Sequence, residues 1–128
     1  NGMASWPSSD AEALLIHNPR CSKSRATMAL LEERGIAFDV RLYLDEPLTR
    51  PELEELGRRL RRPAAEWLRS GEACYAEAGL SAESAEEALL DAIARHPKLL
   101  QRPLVVRGDR AEIGRPPERV LDLFRDPG

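Results

Sequence analysis

The sequence predicts one α/β domain built on a small mixed β-sheet, in the order β-α-β, a helical insertion, then β-β-α. Three observations predict it. A short apolar run, Leu14-Leu15-Ile16, passes through a turn into a helical pattern and then into the alternating residues Phe38, Val40, Leu42 and Leu44. Such a strand–helix–strand unit pairs its strands in parallel with a right-handed crossover. Near the other end, Leu104-Val105-Val106 and Ala111 to Ile113 flank Gly108-Asp109-Arg110, the signature of a hairpin. Between them lie helical stripes with no strand pattern. A chain of 128 residues suits a single core with flanking helices.

Residues 1–12 are rich in Ser with Gly and Pro, and read as a flexible lead-in; Asn1-Gly2 ahead of Met3 reads as a cloning remnant. The domain is expected over residues 13–126. Ala13 to Ile16 forms the first strand. The helix after Cys21 turns Met28 and Leu31 inward, with Ala26 and Leu30 beside them, and Gly35 ends it in the C′ place. Thr49 and Glu52 form a capping-box pair ahead of Leu53, Leu56 and Leu60. A short helix is expected from Ala64 to about Arg69. A second capping box, Ser84 and Glu87, precedes Leu89, Leu90 and Ile93, and Pro97 stops that helix. A last helix buries Val120, Leu121 and Phe124.

Composition excludes several classes. With 42% hydrophobic and 32% charged residues, the chain has the balance of a soluble domain, and no apolar run approaches a membrane span. A net charge of -3 argues against a nucleic-acid binder. The two cysteines, far apart in sequence, make neither a disulfide scaffold nor a zinc pattern. A reduced, cytoplasmic setting is expected, with no metal, no tightly bound cofactor and a monomeric state.

The chemistry centres on His17-Asn18-Pro19-Arg20-Cys21-Ser22-Lys23-Ser24-Arg25. Cys21 stands where a strand turns into a helix, so unpaired N–H groups and the positive end of the helix dipole face its sulfur. Arg20, Lys23 and Arg25 add positive charge close by in sequence. Both influences favour the thiolate, which is the nucleophilic form. Pro19 stiffens the turn and brings no N–H that needs a partner.

The same segment resembles the opening motif of the ArsC-type arsenate reductases, the glutathione- and glutaredoxin-coupled family. Leu42-Tyr43-Leu44, Trp67-Leu68-Arg69, the run His96 to Val106, and Ile113-Gly114-Arg115-Pro116 follow in the family's order. The resemblance spans roughly Leu14 to Phe124 and implies a thioredoxin-like fold, in which Pro103 would be a cis proline beside the reactive sulfur. It further implies Cys21 as the catalytic nucleophile and Arg69, Arg102 and Arg115 as the oxyanion-binding arginines. His17, Asn18, Ser24 and Arg25 would support the loop. The implied substrate is arsenate or a related oxyanion, with glutathione as co-substrate and glutaredoxin as partner. The residue types suit that use, because a guanidinium fork matches an oxyanion bidentately.

The sequence reads C-x-x-S at Cys21–Ser24, so no local second thiol resolves an adduct, and an external thiol is the natural partner. This disfavours dithiol switches of the Spx type, which carry C-x-x-C. Thr27 also rules out the C-x5-R loop of phosphatase-like arsenate reductases. Cys74 stands where the family usually has proline and is read as a partly buried bystander. The alternative function is a thiol regulator or binding protein without arsenate turnover, or a related glutathione-dependent thiol reductase.

Overall fold

The computed structural model describes residues 6–125. Its sheet holds β1 (Ala13–His17), β2 (Asp39–Leu42), β3 (Leu104–Arg107) and β4 (Arg110–Ile113) in the order β2-β1-β3-β4. β1 runs parallel to β2, as the crossover connection requires, and antiparallel to β3; β3 and β4 form the hairpin. Gly108 opens its two-residue turn at φ +57, the position where a type II′ turn needs glycine. The central strands are covered on both faces, and alternate residues go to opposite layers. Leu14, Ile16, Leu104 and Val106 face α2 (Arg50–Leu60) and α4 (Glu86–Arg95). Leu15 and Val105 face Leu31 of α1 (Ser22–Glu33), Val120 and Leu123. This is the thioredoxin-like arrangement.

α1 ends in a Schellman motif: Ile36 N–H donates to the Leu31 carbonyl and Gly35 N–H to that of Glu32, with Gly35 at φ +66. α2 carries the Thr49–Glu52 capping box in full. The Arg102–Pro103 bond is cis, as expected from the resemblance, and Arg115–Pro116 is also cis.

Several expectations are corrected. The lead-in does not end at residue 12: Trp6 is buried, its Nε1 donates to Glu52 Oε2 at 2.7 Å, and the folded unit begins at least there. Residues 1–5 and 126–128, which include the expected cloning remnant and the end of the expected domain, lie outside the described residues. The Ser84–Glu87 box does not form. α4 starts from Ala85, the Ser84 hydroxyl oxygen accepts from Ser81 N–H, and Glu87 pairs with Arg50. Ala64–Trp67 is a 3₁₀ turn, after which Leu68 extends to bridge Leu100; a short α3, Ala73–Glu77, follows. Pro117–Phe124 is also 3₁₀, so the three-residue repeat buries Val120 and Leu123 in place of Val120, Leu121 and Phe124.

β2 shows an inversion of the apolar pattern. Val40, Leu42 and Leu44 are exposed, whereas Tyr43 is buried and Arg41 reaches the buried Glu52. Val40 lies opposite Leu15 and so shares the face covered by α1, but that cover stops short of the edge strand.

Candidate active site

His17 closes β1, and the chain then turns tightly into α1. Cys21 N–H donates to the Asn18 carbonyl at 3.0 Å, and the Asn18 side-chain oxygen accepts from Arg20 N–H at 3.0 Å. Cys21 is therefore the N-cap of α1, with extended backbone and a carbonyl that accepts the first helical bond from Arg25. Its side chain is buried, but among polar groups. Burial pushes the thiol pKa up. The Ser24 N–H, the Arg102 guanidinium and the Lys23 N–H outweigh it, and the balance lies below the ordinary thiol value. The electrostatics thus favour a thiolate at the helix mouth.

Beneath the loop, Ser24 is fully buried. Its hydroxyl oxygen accepts from Asn18 N–H at 3.0 Å and lies 2.7 Å from His17 Nδ1. Burial first, and then the Arg25 charge, hold His17 below its ordinary pKa and favour the neutral ring. Arg25 itself is exposed and donates from Nη1 to the Pro19 carbonyl at 2.9 Å, bracing the outside of the loop.

Arg102 and Pro103 arrive from the segment before β3. The Arg102 guanidinium faces the Cys21 sulfur, and its buried Nε has no hydrogen-bond partner. An unpaired buried donor beside a thiolate is costly in a resting protein and useful when an anion enters. The segment is fastened from the far side of the hairpin. Gly114 N–H donates to the Pro103 carbonyl at 2.9 Å, and Arg115 Nη1 donates to the Arg102 carbonyl at 3.0 Å. Only glycine fits at 114, because a Cβ there would lie 2.7 Å from both Pro103 Cγ and Thr27 Oγ1.

Arg69 reaches the neighbourhood differently. Its N–H donates to the Leu99 carbonyl at 2.7 Å, and its side chain pairs with Glu72 in an open hollow of about 260 Å³. Asn18, Arg20, Tyr43, Leu44 and Lys98 share that hollow. The structure therefore gathers Cys21, His17, Asn18, Ser24 and Arg102 directly, joins Pro103 and Arg115 through the peptide bonds they hold, and sets Arg69 beside them, engaged by Glu72. Arg25 supports from outside. Cys74 is half-buried and free, packed against the larger core layer. Among the described residues no cluster of His, Cys, Asp or Glu is set to hold a metal, and no helix is long and apolar enough to cross a membrane.

Sequence reasoning missed Gly114 and Thr27, whose roles are in close packing, and Tyr43 and Glu72 in the hollow. Tyr43 lies within the Leu-Tyr-Leu run that the sequence singled out; its inward direction was the missing piece.

Comparison with known proteins finds relatives along most of the chain. The family model described as the ArsC family matches residues 16–123. A protein named arsenate reductase from Neisseria meningitidis serogroup A is 46% identical over 111 residues, covering 85% of this chain and 95% of its own length. One of the same name from Haemophilus influenzae is 38% identical over 113 residues, covering 87% of this chain and 97% of its own. The solved structure of an arsenate reductase from Vibrio cholerae superposes with a TM-score of 0.84 at 42% identity, covering 88% of this chain and 97% of its own. A fold matched at that level, with a match running from the end of β1 through the last 3₁₀ turn, leaves one assignment: this chain belongs to the ArsC family.

Proposed function

We propose that this protein is an oxidoreductase that reduces arsenate to arsenite, with Cys21 as nucleophile, glutathione as co-substrate and glutaredoxin as the final reductant. The observation that carries the reading is the Cys21 sulfur, held toward the thiolate at the mouth of α1 and faced by a guanidinium with a free donor. The Cys21 thiolate attacks arsenic, a sulfur–arsenic bond forms, and an arsenate oxygen leaves as water after protonation. Glutathione displaces a second oxygen in the same way. A glutaredoxin thiolate then attacks the glutathione sulfur, and the electron pair of the breaking arsenic–sulfur bond stays on arsenic. The two external sulfurs are oxidised to a mixed disulfide, and As(V) becomes As(III). Water releases arsenite and regenerates Cys21.

Arg102 compensates the oxyanion charge next to the sulfur, and Arg115 keeps Arg102 in place while presenting its remaining donors to solvent. Arg69 joins when Glu72 releases it to the anion. The absence of a cysteine at Ser24 favours an external thiol as the second reactant. The test is arsenite production with glutathione and glutaredoxin, with Cys21→Ser and Arg102→Ala alongside. Activity in the parent protein, lost in Cys21→Ser and strongly reduced in Arg102→Ala, supports the reading; a parent protein inactive on arsenate refutes it.

A further inference from the structure

The exposed leucines at the end of β2 border a trough that the steps above leave without an occupant. Two open hollows, of about 320 and 260 Å³, meet at Asn18, Arg20 and Leu44. Leu42 and Leu44, both exposed, give the trough an apolar floor. The first hollow adds Asp45, whose N–H donates to the Leu42 carbonyl at 3.0 Å. The second adds Arg69, Glu72 and Lys98; Arg69 N–H donates to the carbonyl of Leu99, the neighbour of Lys98, at 2.7 Å. Cys21 does not line the trough. It is the residue after Arg20, so its Cα stands about 3.8 Å from that of Arg20, at the junction of the two hollows.

The charges along the trough follow an order. Arg69 is already paired with Glu72. Among the described residues, Asp45, Arg20 and Lys98 have no ion-pair partner. The trough therefore presents an unpaired carboxylate in one hollow, an unpaired guanidinium at the junction and an unpaired ammonium in the other. An inorganic oxyanion is repelled by Asp45 and gains nothing from the leucines. The matching ligand is a longer zwitterion, with an ammonium and a carboxylate at one end, a carboxylate at the other and its reactive atom between them. Glutathione has that layout: a γ-glutamyl end bearing both charges, a thiol in the middle and a glycyl carboxylate.

We propose that this trough is the glutathione subsite: Asp45 takes the γ-glutamyl ammonium, Arg20 the carboxylate beside it and Lys98 the glycyl carboxylate. The thiol then lies over the Asn18–Arg20 turn, next to Cys21. This inference rests on the glutathione step of the proposed reaction and names the residues that hold the co-substrate. Holding both ends makes the second displacement a reaction between neighbours. Arg69 and Arg102 stay with the oxyanion, so the two substrates use separate cations.

Two experiments test it. In arsenate reduction, Lys98→Gln raises the KM for glutathione about fivefold to tenfold, between an exposed ion pair and a charged hydrogen bond, and leaves the KM for arsenate in place. Glutathione esterified at its glycyl carboxylate shows the same rise with the parent protein and no further rise with Lys98→Gln. A variant that penalises glutathione and its ester alike, or neither, overturns the proposal. The second experiment needs no turnover. S-methylglutathione, which has no thiol to react, is titrated into isotope-labelled parent protein while the backbone amide resonances are followed. Saturable shifts at Asn18, Arg20, Leu44, Asp45 and Lys98, weakened in Lys98→Gln, support the subsite; their absence overturns it. Such binding in a protein that fails to reduce arsenate keeps the subsite and removes only the proposed reaction. Arsenate reduction without such binding keeps the reaction and removes the subsite.

Discussion

Arg115 holds Arg102 by its backbone: Nη1 of Arg115 donates to the Arg102 carbonyl at 3.0 Å, leaving the Arg102 side chain facing Cys21. The two arginines therefore have unequal duties. Arg102→Ala removes charge from the sulfur itself, so the pH midpoint of Cys21 alkylation rises toward that of a free cysteine, about 8.5. Turnover of arsenate should fall about a hundredfold or more, the loss for a lost charged donor. Arg115→Ala should cost less in turnover and leave the midpoint nearly in place. Equal effects in the two variants would show that Arg115 also meets the sulfur.

Ser24 is predicted to matter out of proportion to its size. Ser24→Ala leaves the Asn18 N–H and the buried His17 ring without their shared partner, costing about 1–3 kcal/mol. Thermal unfolding measures the loss, and slower alkylation at pH 7 reports the loosened loop. His17 supplies a pH signature as well. Its folded pKa lies below its unfolded value, so the unfolded chain binds the proton first. The stability this ring contributes is full above about pH 6.5 and declines as pH falls below it. Denaturant melts at pH 7.5 and 5.5 should differ less in His17→Gln than in the parent.

Gly114→Ala tests the fastening of the Arg102–Pro103 segment. The added methyl would fall 2.7 Å from Pro103 Cγ and from Thr27 Oγ1, so the segment or α1 must move. Overpacking of this kind costs about 1–3 kcal/mol. The expected signs are a lower melting temperature and reduced arsenate turnover, because Arg102 moves with Pro103. A mutant with parental turnover would show that Arg102 holds its position independently.

Glu52 should be the costliest carboxylate to lose. It is fully buried, yet takes Arg41 in two hydrogen bonds, the Thr49 N–H and the Trp6 indole N–H. Glu52→Gln leaves the Arg41 charge uncompensated at about 3–5 kcal/mol. Burial raises the Glu52 pKa, but these four donors outweigh it and hold the carboxyl below its ordinary value. The unfolded chain therefore takes up the proton first as pH falls. The stability is complete above about pH 4.3 and lost progressively below it. Acid unfolding of Glu52→Gln should be flatter through that range than that of the parent.

The order of elements and the place of Cys21 were legible because they rest on local chemistry: an apolar run, a proline turn, a glycine at a helix end. The arginines of the site were legible chiefly through the resemblance; locally, only Arg102, between apolar Leu100 and Val105, stood apart from a solvated surface charge. What escaped was set by tertiary partners. Alternation around β2 announced a strand but not its phase, and the choice fell to Arg41, which needed Glu52, and to Tyr43, which needed the core. Trp6 looked like lead-in because its partner lies 46 residues away. Ser84 had the right neighbour for a cap, but Arg50 had already claimed Glu87.

The outward turn of Val40, Leu42 and Leu44 puts an oily margin on the one side of the sheet where β2 has no further neighbour. A strand of four residues offers a visiting chain only about 13 Å of ladder, and Asp39, its first residue, and Asp45, in the turn that follows, flank the exposed apolar residues. Brevity and end charges, more than burial, are what blunt this margin against sticking to other unfinished sheets. Replacing both aspartates with asparagine should make the protein precipitate sooner on warming without altering how its sulfur reacts.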